Sequence, residues 1–123
     1  MNRKVLVIGA TAGIGKAIAM AFAAEKDQIL LCGRRDSALA EVKAEIEAAH
    51  KVPVSTVTLD VRDRQTVETL IPQAIKDFGG IDILVNNAGL AQGLDDFQNS
   101  SLDDADTMMD TNVKGLIYVS RTV

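Results

Sequence analysis

The sequence predicts an α/β protein, a doubly wound parallel sheet with strand order 3-2-1-4. Three observations carry this. Short apolar runs alternate with helix-period segments in the order βαβαβαβα. A glycine cluster joins the first run to the first helical segment, and a second turn of small residues follows the fourth run. Parallel strands joined through helices take right-handed crossovers, which put helices on both faces of the sheet. With 123 residues the chain is expected to form one domain, residues 1–123.

Each element has its own signal. Arg3–Ile8 is the first strand. Ile14, Ala17, Ile18, Ala21 and Phe22 then recur at helical spacing and form the expected buried stripe of the first helix. Gln28–Gly33, with Ile29, Leu30 and Leu31, is the second strand. Asp36 or Ser37 is the expected cap of the next helix, whose stripe is Leu39, Val42, Ile46 and Ala49. His50 and Lys51 stand at its end, where positive charge suits the helix dipole. Val54–Leu59 alternates Val54, Thr56 and Thr58 with Ser55, Val57 and Leu59, the pattern of an edge strand.

Asp63 is the expected cap of the third helix, with Val67, Leu70, Ile71, Ala74, Ile75 and Phe78 as its stripe. Pro72 falls inside it and is expected to cost a hydrogen bond and a kink. Gly79-Gly80 ends the helix and Ile81–Val85 is the fourth strand. Residues 87–100 read as a loop. Ser100 or Ser101 opens a last helical region with Asp103 and Asp104 in its first turn.

Composition narrows the function classes. The net charge is −4, and only Arg3-Lys4 and Arg34-Arg35 are adjacent cations, which argues against a general nucleic-acid binder. No apolar stretch approaches the roughly 20 residues of a membrane span. The apolar run after Met1-Asn2-Arg3-Lys4 ends at Gly9, too soon for a signal peptide. The single cysteine, Cys32, gives neither a disulfide nor a metal cluster. It fits a small buried side chain in a reducing compartment, so a cytoplasmic protein without a metal site is expected.

The chemistry-bearing residues gather where strands end. Gly9, Gly13 and Gly15, spaced G-x-x-x-G-x-G, lie between the first strand and the first helix. Glycine lets a phosphate approach the backbone, and a helix N-terminus adds free N–H groups and a partial positive charge. Asn86-Asn87-Ala88-Gly89 follows the fourth strand at the sheet edge where open α/β sheets bind ligands.

These two segments together resemble the nucleotide half of the short-chain dehydrogenase/reductase family, with a Rossmann-like sheet. That family usually has Thr before the first glycine, where this chain has Ile8. The stretch Ile81–Gly93, with Met109-Asp110-Thr111-Asn112-Val113-Lys114-Gly115-Leu116, is similar to the NADP-dependent serine/L-allo-threonine (3-hydroxy acid) dehydrogenase group. The resemblance implies that Gly9, Thr11, Gly13, Ile14 and Gly15 bind the cofactor, as do Asn87, Ala88 and Gly89. It implies that Asp60 and the Val61 backbone meet the adenine edge, and that Asn112 supports a proton relay through a water. Asp60 also reads as a turn acid, and Asn112 as a locally satisfied helix residue.

The second strand decides which dinucleotide. An acid at its end binds the adenosine ribose and repels a 2′-phosphate. Here stand Gly33-Arg34-Arg35 instead. Gly33 takes the place of the acid, and Arg34, with Arg35 beside it, can pair with a 2′-phosphate. NADP is therefore the expected cofactor. Solvated surface charges are the other reading of the two arginines.

The family's Tyr-x-x-x-Lys pair does not occur. The only tyrosine is Tyr118, with Thr122 four residues on. The chain is expected to be a truncated, cofactor-binding part of an NADP-dependent oxidoreductase, with a small-molecule substrate only alongside the second half. The resemblance and the unpaired fourth strand also imply a homo-oligomer. A non-catalytic nucleotide-binding or subunit-interaction module, and an inactive truncated product, are the other readings. A methyltransferase is disfavoured by Gly33-Arg34-Arg35.

Overall fold

The computed structural model describes residues 2–11 and 13–87. They form β1 (Lys4–Ile8), α1 (Gly13–Ala24), β2 (Gln28–Gly33), α2 (Asp36–His50), β3 (Val54–Thr58), α3 (Arg64–Phe78) and β4 (Ile83–Asn86). All strand pairs are parallel and the order is β3-β2-β1-β4, as the alternation of elements predicts. The expected last helical region, from Ser100 on, lies outside the described residues.

The two central strands divide their side chains between two cores. Val5, Val7, Ile29 and Leu31 face α1 and α2, joined there by Ala19, Ala23, Leu39, Val42 and Ile46. Leu6, Ile8, Leu30 and Cys32 face α3, meeting Leu59, Val61, Val67 and Ile71. Burial on both faces is why β1 and β2 read as continuous apolar runs. β3 has a helix-facing Val54 but exposed Ser55, Thr56 and Thr58, as its alternation and edge position require.

Several details differ from the sequence reading. The buried face of α1 is Gly15, Ala19 and Ala23, not the larger apolar residues. Ala17 and Ala21 are exposed, Ile18 and Phe22 half-buried, and Ile14 is 70% exposed. Small residues four apart let the helix lie close on the sheet, so size rather than hydropathy selects the inner face. In α2, Ala49 is exposed. The chain turns at Lys51, in the left-handed conformation, and Val52 enters the core instead. In α3, Leu70 is 38% exposed beside the groove toward β3, an edge strand among the described residues.

The caps divide in the same way. Asp63 caps α3 as expected, its side chain accepting the Thr66 N–H at 3.2 Å. Neither Asp36 nor Ser37 caps α2. Arg35 occupies that position with extended backbone, and Asp36 lies inside the first turn, where its Oδ1 accepts the Thr58 hydroxyl at 3.0 Å. β4 begins at Ile83 rather than Ile81, because the Asp82 side chain, not a strand carbonyl, takes the Lys4 N–H at 2.9 Å. Pro72 lies inside α3, on an exposed face, and the helix continues past it.

One buried charge escaped the pattern reading. Asp27, before β2, has no solvent-exposed surface. Its carboxylate accepts the Arg3 backbone N–H at 2.9 Å, Arg3 Nε at 3.2 Å and Nη2 at 2.8 Å. The Arg3 guanidinium also lies 5.8 Å from the centre of the Phe22 ring. This pair ties the start of β1 to the α1–β2 connection, at the sheet end opposite the glycine-rich turn.

Candidate functional site

In a parallel sheet all C-terminal strand ends share one edge, so the turns after β1, β2, β3 and β4 become neighbours. The turn after β1 is anchored to β2, since the Gly9 and Ala10 N–H groups both donate to the Cys32 carbonyl, at 2.9 and 3.3 Å. Gly9 and Gly13 have φ of 74° and 60°, a region that suits glycine. Gly15 has a different reason. A Cβ there would run into the Gly9 carbonyl oxygen and lie 2.8 Å from Asn87 Nδ2. The glycine thus lets the start of α1 pack directly on the end of β1 and on Asn87. Asn87 is fixed further by its own N–H, which donates to the Ile8 carbonyl at 3.2 Å.

The N-terminus of α1 carries no acidic residue in its first turn. Its first N–H groups therefore favour an anion. Thr11 is half-buried beside it and Ile14 is exposed. Lys16 faces α2, paired with Glu45 at 2.8 Å.

At the end of β2, a Cβ on Gly33 would lie 2.9 Å from Thr11 Cγ2 and 3.3 Å from Leu39 Cδ2. The space for an acidic side chain is thus already taken by the threonine of the glycine-rich turn. Arg34 is exposed, with no hydrogen bond or ion pair to another described residue. Arg35 is also exposed and doubles as the backbone cap of α2.

The end of β3 brings a residue that the sequence reading passed over. The Leu59 N–H donates to the Gly33 carbonyl at 2.9 Å, which sets Asp60 beside Arg34 on adjacent strand ends. The Asp60 carboxylate accepts the Arg62 N–H at 2.9 Å, Arg62 Nε at 3.0 Å and Nη2 at 2.6 Å. The Arg62 side-chain bonds are the main cause holding the Asp60 carboxyl below the usual carboxylate range. Burial opposes them, while the Arg62 N–H and the charges of Arg62 and Arg34 add to them. The acid-x-arginine spacing after a strand end was the available signal. Val61 points the other way, buried in the core under α3.

The arrangement brings Gly9, Thr11, Gly13, Ile14, Gly15, Arg34, Arg35, Asp60, Val61 and Asn87 to one edge of the sheet. Ala88, Gly89 and Asn112 lie outside the described residues. Chemically this edge can cradle one phosphate-like anion on glycines and N–H groups and offer a second the guanidinium of Arg34. Cys32, close by in sequence, is no nucleophile, because burial pushes its thiol up to about 12.

A family model described as short chain dehydrogenase matches residues 3–123. The chain belongs to the short-chain dehydrogenase family. It is 44% identical over 119 residues to the NADP-dependent 3-hydroxy acid dehydrogenase YdfG of Salmonella typhi, covering 97% of this chain and 46% of the relative. Among solved structures, serine dehydrogenase from Escherichia coli is similar with a TM-score of 0.86 and 41% identity, covering 98% of this chain and 54% of that one. L-Sorbose reductase from Gluconobacter frateurii, solved with NADPH and L-sorbose, is similar with a TM-score of 0.87 and 28% identity, covering 99% and 46%. The chain thus spans about half the length of the curated relatives it matches.

Proposed function

We propose that this chain is the NADP-binding part of an oxidoreductase that moves hydride between NADP(H) and a small hydroxy acid, hydroxy amino acid or carbonyl. The observation that carries the cofactor choice is the end of β2. Thr11 fills the space where an acid would stand, and an exposed Arg34 follows directly. The positive-φ glycines of the turn and an α1 N-terminus without an acid in its first turn suit a pyrophosphate. In this reading Gly9, Thr11, Gly13, Ile14 and Gly15 hold the pyrophosphate, and Arg34 and Arg35 the 2′-phosphate. Asp60 and the Val61 backbone meet adenine, Asn87, Ala88 and Gly89 border the cofactor, and Asn112 serves the proton relay.

The names of the relatives support the reaction class, since the Salmonella relative is an NADP-dependent 3-hydroxy acid dehydrogenase. Bound NADP(H) supplies the hydride chemistry, and the described residues bind and orient it. Hydride transfer is proposed for the whole protein, in a cytoplasmic homo-oligomer, rather than for these residues alone. Calorimetry with NADP and NAD tests the cofactor assignment. Arg34→Ala should lower the NADP/NAD affinity ratio about 10- to 100-fold, the worth of one charge-assisted contact. A ratio unchanged by the substitution rejects the assignment of Arg34.

A further inference from the structure

The edge that would receive a 2′-phosphate also holds a carboxylate. Asp60 and Arg34 sit on the ends of neighbouring strands, held in register by the Leu59 N–H bond to the Gly33 carbonyl. Strands in such a pair run about 4.8 Å apart. A free Asp60 would thus be both a rival partner for Arg34 and a like charge beside an incoming phosphate. Arg62 changes this. Its backbone N–H, Nε and Nη2 all donate to the Asp60 carboxylate, with the Nη2 bond at 2.6 Å.

We infer that Arg62 is a positioning residue for 2′-phosphate recognition: by holding Asp60 in its own ion pair it leaves Arg34 free to bind the phosphate. The inference rests on the NADP reading above and deepens it. Arg62 acts through Asp60 and Arg34, not by touching the phosphate itself. The observations agree with this division of labour. Arg34 makes no ion pair with a described residue although a carboxylate lies beside it, and that carboxylate is ion-paired with Arg62 instead. Asp60 and Arg62 offset each other's charge, which leaves the exposed Arg34 beside them as a cation unpaired with any described residue.

The test uses the 123-residue chain and two probes, 2′,5′-ADP and 5′-AMP, which differ only in the 2′-phosphate. Their affinity ratio cancels any change at the adenine. Arg62→Met should lower the ratio about tenfold, the equivalent of one charge-assisted bond, with little change for 5′-AMP. Arg62→Met combined with Asp60→Asn should restore it, because asparagine carries no charge to capture Arg34. Arg62→Lys, which keeps the charge and loses the fork, should keep most of the ratio. A purely structural role would lower both affinities alike. Circular dichroism of each variant establishes folding, and if Arg62→Met unfolds, the lysine and double variants carry the test.

If wild type discriminates and Arg62→Met discriminates equally well, the role of Arg62 is overturned while the NADP reading stands. If the double variant stays as indiscriminate as Arg62→Met, the role of Arg62 is overturned as well. If wild type binds both probes alike, the NADP reading itself falls, and this inference with it.

Discussion

Replacing Gly15 by alanine tests how tightly the glycine-rich turn is built. The added methyl would run into the Gly9 carbonyl oxygen and come within 2.8 Å of Asn87 Nδ2. The first obstacle is backbone, anchored by the Gly9 N–H bond to the Cys32 carbonyl, so no side-chain rotation relieves it. The start of α1 must therefore lift off β1. Gaps of about 0.5–1 Å forfeit a quarter to a half of each contact's attraction, and overpacking of this kind costs about 1–3 kcal/mol. Alanine recovers up to about 1 kcal/mol of helix propensity. The expected net loss is about 1–2 kcal/mol, or roughly 4–8 °C in Tm for a domain near this size. The same lift takes the α1 N–H groups away from the anion, so affinity for 2′,5′-ADP should fall in parallel. Gly13→Ala is the control. Its Cβ meets nothing within 4 Å, and only its φ of 60° resists, at about 1 kcal/mol. Thermal melts by circular dichroism with calorimetry decide. A Gly15→Ala chain as stable as wild type and binding equally well would refute the close-packing argument.

Three further outcomes are expected. Asp27→Ala should cost about 2–3 kcal/mol in urea unfolding at pH 7, less than a fully buried pair because the Arg3 side chain is 35% exposed. The Arg3 bonds hold the Asp27 carboxyl below its ordinary value, so its contribution is complete above the unfolded carboxylate pKa of about 4 and is lost as pH falls through the folded value. The difference between wild type and variant should accordingly shrink in acid; a difference that instead grows below pH of about 4 contradicts the sign. Cys32, buried and with its thiol pushed up to about 12, should resist a thiol reagent in the native chain and react at once in denaturant, which a timed labelling assay reads by mass. Pro72→Ala should stabilise the chain by about 1–2 kcal/mol, because proline forfeits a hydrogen bond inside α3 while giving back part of that by stiffening the unfolded chain; a lowered Tm would show that Pro72 has a packing role.

By itself the sequence determined the elements and their connection. The apolar runs of β1 and β2 are local patterns, and a string of right-handed crossovers leaves few ways to order them. Gly9, Gly13 and Gly15 were legible because a tight strand-to-helix turn demands glycine where φ is positive or a Cβ would clash, and Asp63 because a cap is a contact three residues long. Only the tertiary structure decided the rest. Which face of α1 turns inward depends on how close the helix must come to β1, so the small face of Gly15, Ala19 and Ala23 displaced the larger apolar stripe. Asp36 left the cap position for Thr58, a partner 22 residues away that no local pattern reveals. Arg62 drew no notice because its meaning lies in Asp60 and Arg34, two charges made neighbours by the pairing of β2 with β3. Local rules set what each segment can be; the energy of a charge or a tight contact depends on what the fold brings beside it.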